Sequence, residues 1–453
     1  MGSEGPAPAV TDLKLEMVGE PETIVPASAT DTSPVFLSNI DQVVVIPVET
    51  VYFYPANPEK GLDKLVDTLR DALAKVLVPY HFMAGRLQMN TEEMRLQIDC
   101  NRAGAQFTHY TSGVAIADLG DVTLPNPAFR GLVPTKFNAT VVFELPLLAI
   151  QVTTFKCGGY TVGVMMNHTL FDGPGAIGFF MNYTALARGE ELLYEPDFDR
   201  TPLKARDPPT PTHEHFEFFK LSDLTGTDNP FTTPGSAEAE YVAMQNSMDH
   251  VTRVIPFTPE MIEILKKRAL EGDTIKRVST FEAVAAHLWL ARTKSVDLMP
   301  DMPTNLLFAV DIRRRMKPPL SKHFAGNGVF SSCARATPEE IEKMSFVEAV
   351  QHIQKAIERV TDDYVRSSID WGQINRGVPA LFGGFFLSAW WKMPFYEIDY
   401  GWGKPIYAGP IVTPLIEFVL LLSNGTQDGG LNLVIALEPE QMARFEENVK
   451  ITA

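Results

Sequence analysis

The sequence predicts an α/β protein of two domains, and three observations carry that expectation. With 453 residues, 45% of them hydrophobic and 21% charged, the chain has material for more than one large core. Segments with strand-like and helix-like hydrophobic spacing follow one another through both halves. Between the halves, from Glu195 to about Glu240, Pro196, Pro202, Pro208, Pro209, Pro211, Pro230 and Pro234 break any regular element, so this stretch reads as a long crossover between domains.

Residues 1–34 are rich in Pro, Ala, Ser, Thr and Glu and read as a mobile N-terminal segment. An N-terminal domain follows over 35–195, beginning at Leu37-Ser-Asn-Ile-Asp41 and continuing into the β-rich runs Val43–Val48 and Val51–Tyr54. Leu62, Leu65, Val66, Leu69, Leu73, Val76 and Leu77 recur at helical spacing. Met94–Ile98 and Ala149–Phe155 read as strands, and Gly158-Gly159 turns the second into a further strand, Tyr160–His168. A Gly-rich turn then leads into a helix over Ala176–Arg188. The crossover occupies 196–240 and a C-terminal domain 241–453. That domain opens with a helix at Glu260–Leu270, and Ser279-Thr280-Phe281-Glu282 is a capping box for a helix over Phe281–Lys294. Asn305–Ile312 and Val329–Ala336 read as strands, a long helical region runs from Pro338 to about Ser367, and strands at Phe385–Trp391, Ile416–Leu422 and Leu431–Leu437 complete it.

Composition excludes several classes of partner. A net charge of -17, from 39 basic and 56 acidic residues, argues against nucleic acid or an anionic membrane. The longest apolar stretches, around Leu381–Trp391 and Ile416–Leu422, fall short of a membrane span. The N-terminal residues carry no basic-then-apolar leader and no Arg- and Ser-rich amphipathic stretch, so a cytoplasmic protein is expected. Cys100, Cys157 and Cys333 have no metal or disulfide spacing. His213 and His215 offer two imidazoles without a third ligand nearby; they read as part of a solvated loop, and no metal is expected. Gly173-Pro-Gly175-Ala-Ile-Gly178 matches the dinucleotide pattern Gly-x-Gly-x-x-Gly, but the second strand that pattern needs falls in the Pro-rich 190–211. Neither a Gly-x-Ser-x-Gly elbow nor a phosphate-binding Gly-x-x-x-x-Gly-Lys loop is present.

The chemistry is placed at Asn167-His168-Thr169-Leu170-Phe171-Asp172-Gly173. Val162, Val164, Met166 and His168 share one parity, and therefore one face of a strand, which points the imidazole inward. A neutral imidazole takes a proton from an alcohol or amine near neutral pH, and Asp172 stands four residues on, available to orient it or to serve another purpose. The motif alone is weak: with nine histidines, about half a His-x-x-x-Asp match is expected by chance.

Taken together with Asp399-Tyr-Gly-Trp-Gly403, however, the His168–Gly173 stretch resembles the paired signature of the plant BAHD acyltransferases, His-x-x-x-Asp-Gly and Asp-Phe-Gly-Trp-Gly. The one departure is Tyr400 for Phe. Leu37–Asp41, Ala84-Gly-Arg86, Ser279–Leu288, Val310–Arg313 and Gly326-Asn-Gly328 also resemble family positions, so the likeness covers nearly the whole chain. It implies a monomer of two similar α/β domains with mixed sheets, chloramphenicol-acetyltransferase-like, joined by a long crossover loop, with His168 in a channel between them. It also implies an acyl-coenzyme A thioester as co-substrate, no permanently bound cofactor, and an alcohol or amine acceptor.

The resemblance further implies His168 as general base in a direct transfer without an acyl-enzyme. Trp402 offers an indole N–H for the developing oxyanion if its loop approaches the channel. Asp172, Gly173, Asp399, Gly401 and Gly403 are expected to be structural, with Asp172 turned toward Arg313 or, as the rival, Asp399 beside it. Lys276, Arg277, Ser279 and Thr280 stand at a helix start, where cations and the dipole suit the phosphates of coenzyme A. The segments Leu37–Gln42 and Trp390–Asp399 look most like the hydroxycinnamoyl-transferring branch. Val48, Trp390 and Lys392 are assigned to the acceptor pocket, with a long-chain hydroxy acid or alcohol ahead of shikimate or quinate and of polyamines. A non-catalytic binding partner in lipid elongation is the alternative of another class; intact His168 and Asp399–Gly403 argue against it.

Overall fold

The computed structural model describes residues 10–137, 139, 141–220, 222–223, 250–411, 417–426 and 428–451. In chain order the elements are β1 (Leu15–Met17), β2 (Glu22–Ile24), β3 (Val35–Phe36), α1 (Asn39–Gln42), β4 (Pro47–Tyr54), α2 (Leu65–Val76), β5 (Arg86–Asn90), β6 (Arg95–Asp99), β7 (Ala105–Ser112), β8 (Leu148–Phe155), β9 (Tyr160–Asn167) and α3 (Gly173–Ala187). They continue as β10 (Phe218–Lys220), β11 (Val251–Phe257), α4 (Pro259–Ala269), α5 (Thr280–Thr293), β12 (Thr304–Asp311), β13 (Val329–Ala336), α6 (Pro338–Lys343), α7 (Phe346–Arg359), α8 (Asp362–Asn375), β14 (Gly377–Pro379), β15 (Phe385–Ala389), β16 (Tyr407–Pro410), β17 (Phe418–Ser423), β18 (Leu431–Leu437) and α9 (Pro439–Asn448). They fall into two units. The first holds the described residues of Met1–Pro202, Ser321–Gly328 and Met393–Val412; the second holds those of Leu203–Leu320, Val329–Lys392 and Thr413–Ala453.

The first unit is built on a mixed sheet in the order β1-β7-β8-β9-β4-β16, with β2 also on β7. β7 and β8 run parallel and the other pairs antiparallel. One face carries α2 and α3: Tyr52 meets Phe180 at 5.3 Å between ring centroids, and Tyr54 stacks on Tyr160 at 4.4 Å. The other face buries Val51 and Phe53 against Phe129, Leu132 and Val133. Gly163, in the middle of β9, makes this second layer fit, because a Cβ there would collide with the Leu132 carbonyl. A small sheet, β3-β6-β5, completes the unit.

The second unit repeats the plan with a six-stranded sheet, β11-β18-β17-β15-β12-β13, in which β15 is parallel to both β12 and β17. Five of its helices, α4 to α8, start at side-chain caps: Thr258, Ser279, Thr337, Ser345 and Thr361 each accept a backbone N–H from the first turn. Trp289 of α5 is fully buried. Two α/β units with mixed sheets agree with the fold class read from the sequence.

Several boundaries differ from the sequence reading. Residues 10–34 are not a mobile tail: β1 and β2 pair with β7, and Leu13 and Ile24 are buried. Within the crossover, Phe218–Lys220 pairs with Gly377–Pro379, and Arg200, His215 and Glu217 are buried; residues 224–249 lie outside the described residues. The helical region from Pro338 is three helices, because Ser345 and Thr361 each begin a new one. Asp399–Gly403 does not belong with the C-terminal unit. It stands in the unit that carries His168, because the strand just after it, β16, adds to the free edge of β4.

Candidate active site

Strand β9 brings Tyr160, Val162, Val164 and Met166 opposite Tyr54, Tyr52, Thr50 and Val48 of β4. His168 extends this ladder by one pair: its N–H donates to the Ile46 carbonyl at 2.8 Å. The imidazole therefore lies on the face of Val48 and Met166, as the parity argument expects. His168 is half-buried, and Nδ1 is buried without a hydrogen-bond partner among the described residues.

The chain then turns sharply into α3. Asn167 Oδ1 accepts the Thr169 N–H at 3.0 Å and the Asn167 carbonyl accepts the Leu170 N–H at 3.1 Å. Asp172 is the N-cap of α3, with Oδ1 accepting the Gly175 N–H at 3.0 Å, while Oδ2 accepts the Gly328 N–H at 2.9 Å. Both oxygens of Asp172 thus hold backbone. The absence of a side chain at Gly173 admits Met393, whose methyl a Cβ there would overlap.

The second signature stretch is a turn built around Asp399. Its Oδ1 accepts the N–H groups of Gly401 at 2.7 Å and Gly403 at 3.0 Å, and those glycines take φ of +95° and +103°. Tyr400 is fully buried between Tyr54 and Tyr183, at 6.0 and 5.1 Å between ring centroids. Its hydroxyl has no partner among the described residues, and burial holds its pKa well above the ordinary value. Phe, the family's residue, would meet no such cost.

Trp402 overturns its expected part in catalysis. Its indole N–H is spent on the Gly61 carbonyl at 2.9 Å, and Lys60 covers its ring at 3.6 Å. Location gives the same answer. The loop is bonded to the Tyr54 end of β4, through Tyr54 Oη to the Ile398 carbonyl and Asn57 Nδ2 to the Trp402 carbonyl, whereas His168 is at the Pro47 end. An eight-residue strand at ~3.4 Å per residue separates the two by roughly 24 Å.

In the second unit, Ser279 and Glu282 form the expected capping box, Ser279 Oγ accepting the Glu282 N–H at 3.2 Å and Glu282 Oε2 accepting the Ser279 N–H at 2.9 Å. Lys276, Arg277 and Ser279 are exposed and Thr280 half-buried, and neither cation is in an ion pair among the described residues. Arg313 is buried with Asp311 Oδ2 3.6 Å from its guanidinium. Trp390 Nε1 donates to Ser388 Oγ at 2.9 Å, and Lys392 lies 5.8 Å from the Trp391 ring. Val48 of the first unit is half-buried.

Two clusters differ from what the sequence reading expects. His213 and His215 are not a solvated pair: His215 is buried between Glu217 at 2.9 Å and Ser367 at 2.8 Å, and His213 bonds Asp363 at 2.8 Å. Ser367 Oγ also accepts the N–H groups of Thr212 and His213, so this Ser-His-Glu chain is a fully bonded brace rather than an exposed nucleophile. The other cluster surrounds the turn after β9. Buried Asp41 and Arg200 lie 3.3 Å apart, and Asn327 Nδ2 donates to Asp41 Oδ1 at 2.7 Å and to the His168 carbonyl at 2.9 Å. Leu37–Asp41 and Gly326–Gly328 stand out in the sequence only as family-like stretches; buried charge leaves no periodic signal.

With this geometry in place, similarity to known proteins is informative. The family model described as the Transferase family matches residues 13–452. The chain is 36% identical to the Acyltransferase GLAUCE of Arabidopsis thaliana, with 98% of each chain covered. It is 36% identical to the Omega-hydroxypalmitate O-feruloyl transferase of the same plant, over 96% of this chain and 93% of that one. The structure of F. graminearum TRI101 complexed with ethyl coenzyme A superposes with a TM-score of 0.73 at 17% identity, over 92% of this chain and 97% of that one, which shows a shared fold.

Proposed function

Because the chain belongs to the Transferase family, that is, to the BAHD acyltransferases, and is therefore an acyltransferase using acyl-coenzyme A, we propose that it moves a hydroxycinnamoyl group from coenzyme A to the hydroxyl of a long-chain hydroxy acid or alcohol, with His168 as the general base. The observation that carries this reading is the state of His168. Its backbone is tied on both sides, its buried Nδ1 has no hydrogen-bond partner among the described residues, and both oxygens of Asp172 accept backbone N–H groups. With Nδ1 buried, Nε2 is the nitrogen left to meet an acceptor. It takes the hydroxyl proton as the oxygen attacks the thioester carbonyl, and returns a proton to the sulfur as the C–S bond breaks.

The donor's phosphates are assigned to Lys276 and Arg277 with Ser279 and Thr280 at the start of α5, and the acceptor to Val48, Trp390 and Lys392. An apolar chain is favoured because each buried methylene is worth about 0.8 kcal/mol. The Omega-hydroxypalmitate O-feruloyl transferase supports the same acceptor class. Competition between a long-chain alcohol and shikimate for feruloyl-coenzyme A tests it: the alkyl ester should dominate, and shikimate ester as the main product would move the assignment to a polar acceptor.

A further inference from the structure

The turn after β9 is held by groups that the reaction itself does not use. Three successive residues are gripped from outside the turn: the His168 carbonyl by Asn327 Nδ2 at 2.9 Å, Thr169 Oγ1 by the Asp41 carbonyl at 3.2 Å, and the Leu170 carbonyl by Arg200 Nη2 at 2.6 Å. The three grips converge on Asp41. Its carboxylate accepts the Ser38 N–H and hydroxyl, each at 2.7 Å, as well as Asn327 Nδ2 at 2.7 Å, and it faces Arg200 Nε at 3.3 Å. Asp41 and Arg200 have fully buried side chains and Asn327 is 1% exposed.

We propose that Asn327 is a positioning residue for His168: braced by the Asp41–Arg200 pair, its amide fixes the His168 peptide by the carbonyl and so sets the direction of the imidazole. The proposal rests on His168 being the base. Among the described residues no side chain is bonded to Nδ1 of the ring, so its direction follows from the orientation of its own Cα–Cβ bond, and that orientation follows from the two bonds on the His168 backbone. A buried ion pair is a poor source of net stability, since desolvation consumes most of the attraction. Its worth here is geometric: a displacement of about 1 Å at a reacting group costs roughly a hundredfold in rate.

The test compares Asn327→Ala, the milder Asn327→Gln and His168→Ala with Thr337→Ala, which removes the N-cap of α6 in the second unit. Each is measured for kcat, donor KM, Tm and the pH profile of kcat. Asn327→Ala should lose roughly ten- to a hundredfold in kcat. Its donor KM should stay within about twofold and its acid limb at the wild-type pH, since the same base is present but misaimed. Asn327→Gln, whose amide sits one methylene too far out, should fall between it and wild type, while Thr337→Ala should lower Tm and keep kcat. Wild-type kcat in either folded Asn327 variant, with His168→Ala inactive, overturns the positioning role alone. An active His168→Ala instead overturns the assignment of the base.

Discussion

Trp402→Phe separates a structural from a catalytic role for the second signature stretch. The change removes the indole N–H that the Gly61 carbonyl accepts at 2.9 Å. One such bond contributes about 1 kcal/mol, and exposed Gly61 can recover water, so the loss sits at the low end. Trp402 is 3% exposed, and the smaller ring leaves a void costing about 1–2 kcal/mol. Weakening the Lys60 contact adds about 0.5 kcal/mol. The total, ~2–3 kcal/mol, should lower Tm by roughly 4–12 °C for a folding unit of this size. Turnover of the folded enzyme should stay within about threefold of wild type, because the loop stands a strand's length from His168. Calorimetry and initial rates below the transition measure both. Loss of an oxyanion donor costs about a hundred- to a thousandfold in kcat; a fall of that size at unchanged Tm would refute the structural reading.

Three further outcomes are expected. Replacing both Lys276 and Arg277 by Glu should raise the donor's KM by about tenfold, less so at high salt, and leave the acceptor's unchanged; an unaltered donor KM moves the coenzyme site elsewhere. Tyr400→Phe should hold or raise Tm, by up to about 1 kcal/mol of stability, because it removes a buried hydroxyl that has no partner among the described residues; a clear drop in Tm would show that the hydroxyl is bonded in solution. His287 donates Nε2–H to the Val449 carbonyl at 2.8 Å, and burial, reinforced by Arg268, lowers its pKa below the ordinary 6.5 despite that bond. Below pH 6.5 the unfolded chain binds a proton that the folded chain refuses, so stability present above that pH is lost as the pH falls, by at most about 1.4 kcal/mol per pH unit. His287→Gln should therefore flatten Tm between pH 7 and 5, and an equally steep profile would assign the acid loss to other groups, such as His81, His109 and His352, whose values burial also lowers.

What was legible in the sequence follows from the range over which each signal acts. The alternation of Val162, Val164 and Met166 is local, and it sets the face of His168 because the ladder with β4 continues through Ile46. The capping box at Ser279 is local too. Pairings between distant segments leave no such trace: nothing in Tyr407–Pro410 says that it will lie on Pro47–Tyr54, so Asp399–Gly403 reads as part of the wrong unit. β7 is hidden because Thr108 and Ser112 are buried polar residues in it, which blurs the contrast between its faces. For the same reason Arg200, His215 and Glu217 of the crossover read as loop residues until their partners are seen. Trp402 was misjudged because an indole N–H near a signature motif looks available until its acceptor, Gly61, is located 341 residues away.

Everything proposed for the reaction depends on His168 as the base of a direct transfer. The decisive measurement is turnover of feruloyl-coenzyme A with a long-chain alcohol by His168→Ala, alongside binding of the donor to the same protein. If His168 is that base, kcat should fall by about a hundredfold or more with donor affinity nearly intact. A well-folded variant that keeps most of its turnover would contradict it.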